Sequence, residues 1–199
     1  MSPRRGLDAE AVLDAAERLA DERGFDAVTV HEVARALEVR APSLYHHVDG
    51  LDAIRDGLRL RGLARFAEMA RDTTAGLPPR EALRAFARAQ RRFAHEHPGL
   101  YGAAQITVSR GAAEPLRETG EVTLAALVGL LRDGYGLEGD AALHAVRILR
   151  SGVHGFIALE RAAAFGMDLD VDASFARLLD ALDRGLEAMA AEPSSARPS

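Results

Sequence analysis

The side chains best equipped for chemistry lie in one short segment of this chain, between residues 40 and 47. The segment offers a guanidinium, an aliphatic and a phenolic hydroxyl, and two imidazoles, carried by Arg40, Ser43, Tyr45, His46 and His47. Groups of this kind donate hydrogen bonds to the phosphates and the base edges of nucleic acids. We therefore expect double-stranded DNA to be the partner of this segment.

Two short helices must position these side chains. Thr29 is a suitable N-cap for the first helix, because its hydroxyl accepts a hydrogen bond from a free backbone N–H of the first turn. Val33 and Ala34 follow at a spacing that predicts one buried face. Pro42 suits the first turn of a second helix, in which Leu44 is the buried position.

A helix as short as the second one is not stable by its own propensity, so the first helix must support it. That arrangement is typical of a helix-turn-helix, which presents a recognition helix to the major groove of DNA. The alternative is an ordinary joint between two helices of an all-helical core. The polar content of the second helix favours DNA binding over that alternative.

Composition restricts the function further. The chain has 199 residues, no cysteine and a net charge of -5, and no apolar run approaches the length that spans a bilayer. We expect a cytoplasmic protein without membrane contact, disulfides or cysteine-based metal sites. The first 48 residues carry six arginines against nine acids. DNA binding must therefore come from charge placed on one face, since the bulk charge opposes it.

Apolar periodicity predicts an all-α chain. The predicted helices cover residues 8–23, 30–37, 42–47, 51–71, 79–96, 106–108, 113–135, 143–165 and 173–190. The HPGLYG segment after residue 96 is predicted to be a break between helices. Residues 143–165 are apolar on more than one side, which predicts that the last two long helices form a dimer interface.

A family resemblance rests on four motifs of the N-terminal region. They are Gly24-Phe25 at the end of the first helix, Thr29 at the start of the second, Val33-Ala34, and Leu44-Tyr45-His46-His47. This pattern, over about 45 residues, resembles the DNA-binding domain of TetR-type transcriptional regulators. The segment from Ser151 to Phe156 is similar to a ligand-binding and dimerisation domain found in a subset of those regulators.

The resemblance implies a domain organisation and a function. Residues 1–50 would be a three-helix helix-turn-helix domain, residues 51–192 a helical ligand-binding and dimerisation domain, and residues 193–199 a disordered tail. The protein would bind operator DNA as a homodimer, act as a repressor, and be released by a small-molecule effector of unknown identity.

The resemblance also implies the DNA contacts residue by residue. It implies phosphate or backbone contacts for Thr29, Ser43, Tyr45 and His47. It implies positions at or near base edges for Arg40, Ala41, Pro42 and His46.

Two departures from the family pattern affect these contacts. Glu38 stands at the turn where the family commonly has glycine, and a left-handed backbone there would cost about 1 kcal/mol. Leu51 stands where the family often has a lysine, so one phosphate contact is missing. Arg4 and Arg5 of the N-terminal arm are expected to supply that charge.

Side chains that could line an apolar pocket are spread over the body of the chain. The candidate ligand-binding residues are Phe66, Met69, Phe86, Phe93, Tyr101, Leu127, Arg150 and His154. They predict a mostly apolar effector that carries one or two polar groups. Side chains of these types more often form ordinary cores, and His154 is also compatible with a hydrogen-bonded core histidine or with a position at the dimer seam.

Other functions have less support in the sequence. His95 and His97 are two residues apart, so on a helix they point in different directions and cannot share one metal ion. The sequence shows no phosphate-binding loop and no nucleophile elbow. We therefore predict no catalytic residues, no metal and no cofactor. A helical enzyme is one alternative, and a DNA-binding regulator controlled by a protein partner is the other.

Overall fold

The computed structural model describes residues 7–105 and 114–191, and within those ranges every regular element is helical, which confirms the all-α prediction. The helices are α1 (Ala9–Arg23), α2 (Val30–Ala36), α3 (Ala41–Leu44), α4 (Gly50–Thr74), α5 (Pro79–Glu96), α6 (Pro98–Gln105), α7 (Glu114–Tyr135), α8 (Gly139–Arg161) and α9 (Val171–Ala191). A 3-10 turn, Phe25–Ala27, joins α1 to α2. Arg4, Arg5, the helix expected at 106–108 and the tail 193–199 lie outside the described residues.

Local capping sets the ends of α1 as the sequence predicts. The Asp8 carboxylate accepts a hydrogen bond from the Ala11 N–H at 2.7 Å, and this satisfies one of the free donors of the first turn. Gly24 ends the helix with φ of 91°, a conformation that glycine adopts without steric cost. The buried face of α1 is formed by Val12, Ala15, Ala16, Leu19 and Ala20.

The HPGLYG segment ends α5 as predicted, but the break is one residue long, because Pro98 already begins α6. Pro98 occupies the first helical position, where the missing N–H removes no hydrogen bond. A Cβ built on Gly99 would lie 2.4–2.6 Å from backbone atoms of Ala20 and Asp21, so only glycine allows α6 to lie this close to α1. The Asp21 carboxylate accepts a hydrogen bond from the Gly99 N–H at 2.8 Å.

The bounds predicted for α8 are also wrong. The helix begins at Gly139 and ends at Arg161, four residues earlier than expected at both ends. Ala163 has φ of 50°, and its N–H and that of Ala164 bond to the carbonyls of Glu160 and Leu159. These bonds close the last turn, so Phe165 lies in the exposed connection to α9.

The described chain falls into two compact units. The first comprises residues 7–68, 92–105 and 114–121, and the second comprises residues 69–91 and 122–191. In the first unit α1 packs against the 3-10 turn, α2 and α6, so more than the helix-turn-helix belongs to it. The functional boundary at residue 50 stays a prediction.

The second unit has its own apolar core. Buried side chains from α5, α7, α8 and α9 form it together with Leu137: Leu83, Leu131, Ala142, Ala145 and Leu186. No helix in the described ranges combines the length and the apolar character needed to cross a membrane.

Polar contacts join the helices of the second unit around α5. Arg84 donates to Asp180 at 2.6 Å and to Asp183 at 3.0 Å. Tyr135 donates its hydroxyl proton to Asp183. Burial and this hydrogen bond raise the pKa of Tyr135. Burial alone would raise the pKa of Asp183, but the hydrogen bonds from Tyr135 and Arg84 lower it.

Candidate nucleic-acid interface

The first helix of the predicted helix-turn-helix has the predicted cap and buried face. The Thr29 hydroxyl accepts a hydrogen bond from the Glu32 N–H at 3.2 Å. Val33 and Ala34 are buried with exposed fractions of 0% and 3%. The apolar side of α2 therefore holds it against the rest of the predicted helix-turn-helix domain of residues 1–50, which we call the head. This packing fixes the direction in which the chain leaves α2.

The turn between α2 and α3 contains a strained residue. Glu38 has φ of 57°, in the left-handed region that glycine favours. The Val39 N–H bonds to the Ala34 carbonyl at 3.0 Å and the Glu38 N–H to the Arg35 carbonyl at 3.1 Å. This pattern closes the C-terminus of α2 and usually has glycine where Glu38 stands.

The recognition helix α3 is one turn long and is held by a single buried side chain. It ends at Leu44, earlier than the predicted residue 47, and a hydrogen-bonded turn follows in which the Leu44 carbonyl accepts from the His47 and Val48 N–H groups. Leu44 is fully buried, whereas the Tyr45 side chain is 60% exposed. The burial of Leu44 therefore anchors this segment, and it leaves the polar side chains on the solvent side.

Seven of the predicted DNA-contacting residues lie in the segment 40–47, whereas Thr29 caps α2, and Arg4 and Arg5 lie outside the described residues. Most of them are exposed: Thr29, Arg40, Pro42, Tyr45, His46 and His47. Ala41 and Ser43 are half-buried. Leu51, at the position of the missing lysine, is half-buried at the start of α4. The individual contacts with phosphates and bases stay predictions.

Ion pairs neutralise most of the arginines between residues 7 and 68. Glu32 accepts from Arg23 at 2.6 Å and also from Arg35. Arg61 donates to three acids of α1, Glu10, Asp14 and Glu17, while Arg65 pairs with Glu17 at 2.7 Å and Arg59 with Asp56 at 2.6 Å.

Three arginines of this range make no ion pair with the described residues. They are Arg18, Arg40 and Arg55. Arg18 lies on the exposed side of α1, whereas Arg40 directly precedes α3 and Arg55 contacts the segment that precedes α2. No motif in the sequence marks Arg55, because its position beside Val28 and Phe25 depends on contacts between residues distant along the chain.

The candidate ligand-binding residues divide between the two units. Phe66, Phe93 and Tyr101 belong to the first unit, where the rings of Phe66 and Phe93 meet edge to face at 6.2 Å. The second unit holds Met69, Phe86, Leu127, Arg150 and His154. A pocket shared by the two groups stays a prediction.

The polar members of that set lie on α8. Arg150 is exposed and His154 is half-buried. Burial lowers the pKa of His154, and the charges of Arg150 and Arg161 lower it further. The neutral imidazole is therefore favoured near neutral pH.

One cluster of potential metal ligands was not anticipated. Ligand atoms of Glu17, Asp21 and His97 lie within 4.8 Å of one another. Arg61 and Arg65 donate to both oxygens of Glu17, and Asp21 accepts from the Gly99 N–H. These contacts explain the cluster as part of the packing of α6 on α1.

Comparisons with known proteins agree with this architecture. The sequence profile of the tetR family of bacterial regulatory proteins matches residues 12–49, and that of the tetracyclin repressor-like C-terminal domain matches residues 83–182. An uncharacterized HTH-type transcriptional regulator of Bacillus subtilis, YobS, is 36% identical over 171 residues, which cover 86% of this chain and 88% of that protein.

A second relative and a solved structure extend the similarity. An uncharacterized HTH-type transcriptional regulator of Mycobacterium tuberculosis is 33% identical over 181 residues, or 91% of this chain and 82% of that protein. The crystal structure of a TetR variant from Acinetobacter baumannii in complex with minocycline has a TM-score of 0.68 and 26% identity, covering 94% of this chain and 99% of that one.

Proposed function

Because the chain belongs to the TetR family of bacterial transcriptional regulators, we propose that it is a repressor that binds operator DNA as a homodimer and is released by a small, mostly apolar effector. The observation that carries the DNA-binding part is the presentation of α3. Its one apolar side chain, Leu44, is buried, while Arg40, Tyr45, His46 and His47 face solvent. Exposed donors on a supported short helix are the surface that a helix-turn-helix offers to the major groove.

The roles of Arg40 and Tyr45 can be separated by comparing specific with non-specific DNA. Tyr45→Ala should weaken binding to both duplexes alike, because a backbone contact positions the head without reading sequence. Arg40→Ala should cost about 1–3 kcal/mol more on the specific duplex, because a base contact is lost. Equal losses on both duplexes would assign Arg40 to a phosphate.

The dimer part of the proposal rests on the outer face of α8. Ile148 and Leu159 are 45% and 50% exposed, and no atom lies within 4 Å of a Cβ built on Gly155. These three residues are seven and four positions apart, so they share one flank of the helix. A small residue between two exposed apolar side chains lets a helix of a second copy approach closely and cover them.

Sedimentation tests this interface with a matched control. Leu159→Glu should convert the dimer into a monomer, because a carboxylate would be buried in an apolar contact. Leu77→Glu, at an exposed position before α5, should leave the dimer intact. A dimeric Leu159→Glu protein at micromolar concentration would place the interface elsewhere.

The effector part of the proposal is supported by composition and by one relative. The candidate residues Phe66, Phe86, Phe93 and Leu127 are apolar or aromatic, and the Acinetobacter baumannii TetR variant binds minocycline in its crystal structure. Release of DNA would follow from a population shift, and reversal of a 99:1 equilibrium requires a preference of about 5.5 kcal/mol for the released state.

A thermal-shift screen tests the class of effector. Apolar compounds with one or two polar groups should raise the melting temperature, whereas phosphorylated sugars and nucleotides should not. Stabilisation by polyanions alone would contradict the proposal. A regulator controlled by a protein partner would bind operator DNA without responding to any compound of the screen.

A further inference from the structure

Arg55 lies at the junction of α4 with the segment that leads into α2. Its Nη2 atom is 3.4 Å from the carbonyl oxygen of Val28, the residue directly before the α2 cap Thr29. Its guanidinium carbon lies 5.8 Å from the centroid of the Phe25 ring. Arg55 is half-buried and lies beside the helix-turn-helix.

Arg59 offers a natural comparison, because it shares the same aromatic contact. Its guanidinium carbon lies 5.6 Å from the centroid of the Phe25 ring. Arg59 donates to the Asp56 carboxylate at 2.6 Å, so its charge is balanced within the chain. Arg55 has no such carboxylate among the described residues, although both side chains stack on the same ring.

The hydrogen-bonding capacity of Arg55 is largely unused within the described part of the chain. A guanidinium has five N–H donors. One of them makes the long contact to Val28. The Nε of Arg55, like that of Arg59, is buried without a hydrogen-bond partner there. A half-buried cation that has unused donors and forms no ion pair with the described residues is well suited to bind an external anion.

We propose that Arg55 is a further DNA-binding residue, which contacts a backbone phosphate of the duplex beside α2. The ligand is a phosphate because Arg55 projects from α4, outside the recognition helix whose side chains face base edges. The Phe25 ring holds the guanidinium in place and reduces the conformational entropy lost on binding. This inference rests on the proposed DNA-binding function.

The salt dependence of DNA binding tests this assignment. Each phosphate contact contributes about 0.9 to the slope of log affinity against log salt concentration. Arg55→Gln should reduce that slope by about 0.9 per head, or about 1.8 for a dimer on two half-sites. Between 50 and 200 mM salt, the affinity of the wild type should therefore fall about threefold more per head than that of Arg55→Gln.

Arg59→Gln is the matched control. It removes the same contact with Phe25 but no predicted phosphate contact, so the slope should stay at the wild-type value. The melting temperature of each free protein shows whether it is folded, and Arg55→Lys, which keeps the charge, should restore most of the slope.

Two outcomes would overturn the inference in different ways. A folded Arg55→Gln protein with the wild-type slope, or an equal loss of slope in Arg59→Gln, would refute the phosphate contact alone. If the wild-type protein showed no salt-dependent binding to any duplex, the proposed function would fail as well. If Arg55→Gln does not fold, the salt dependence is measured on Arg55→Met, which lacks the charge, and on Arg55→Lys, which keeps it.

Discussion

Substitution of Glu38 by glycine should stabilise the DNA-binding head. Glu38 holds φ of 57° at the turn between α2 and α3, where the Val39 N–H bonds back to the Ala34 carbonyl. In this left-handed conformation the Cβ of an L-residue lies too close to backbone atoms, whereas glycine has no Cβ. Glu38 is exposed, so its replacement removes no core packing.

The size of the effect follows from two opposing terms. The left-handed conformation costs a non-glycine residue roughly 1–2 kcal/mol. Glycine lowers the free energy of unfolding by about 0.4–1 kcal/mol, because it increases the conformational entropy of the unfolded chain. The net gain of Glu38→Gly is therefore roughly 0–1.6 kcal/mol. Each kcal/mol raises the melting temperature of a protein of this size by about 2–4 °C.

Glu38→Gln separates backbone strain from charge. Both variants remove a negative charge two residues from Arg40, so both should bind duplex DNA more tightly at low salt. Chemical denaturation should show a gain in the free energy of unfolding for Glu38→Gly only. Ala163→Gly, which relieves a similar φ of 50° in the second unit, should stabilise without changing DNA affinity. Equal unfolding midpoints for the two Glu38 variants would refute the reasoning.

Three further predictions concern packing and protonation. Gly99→Ala should lower the free energy of unfolding by about 1–3 kcal/mol or more in urea titrations, because the Cβ of the alanine would overlap the backbone of α1. Gly102→Ala should cost far less, because a Cβ at that position lies 3.9 Å from the nearest atom. Tyr135→Phe should cost about 1–3 kcal/mol in the same assay, because Asp183 loses a charged hydrogen bond. His154 has a lowered pKa, so the unfolded chain binds more protons and wild-type stability should fall as pH drops below about 6.5. Denaturation at several pH values should show a smaller fall for His154→Gln; parallel pH curves would exclude His154 as the cause.

The amino-acid sequence by itself determined the features that depend on near neighbours in the chain. The Asp8 and Thr29 caps, the Gly24 terminus and the span of α5 are predicted correctly, because caps, glycines and apolar periodicity act within a few residues. The candidate DNA contacts of residues 40–47 are likewise identifiable from side-chain chemistry. They form one surface because they are consecutive along the chain.

Only the tertiary structure decided the features that depend on residues distant in sequence. Helix α6 lies against α1 because Gly99 has no Cβ to overlap the backbone of Ala20, far away along the chain. The charge count of the head does not show which arginines are available to DNA, because the partners of Arg61 are on α1 and Arg55, beside Val28, forms no ion pair with the described residues. Ion pairing and close helix contacts are set by three-dimensional proximity, and local patterns in a single sequence do not specify that proximity.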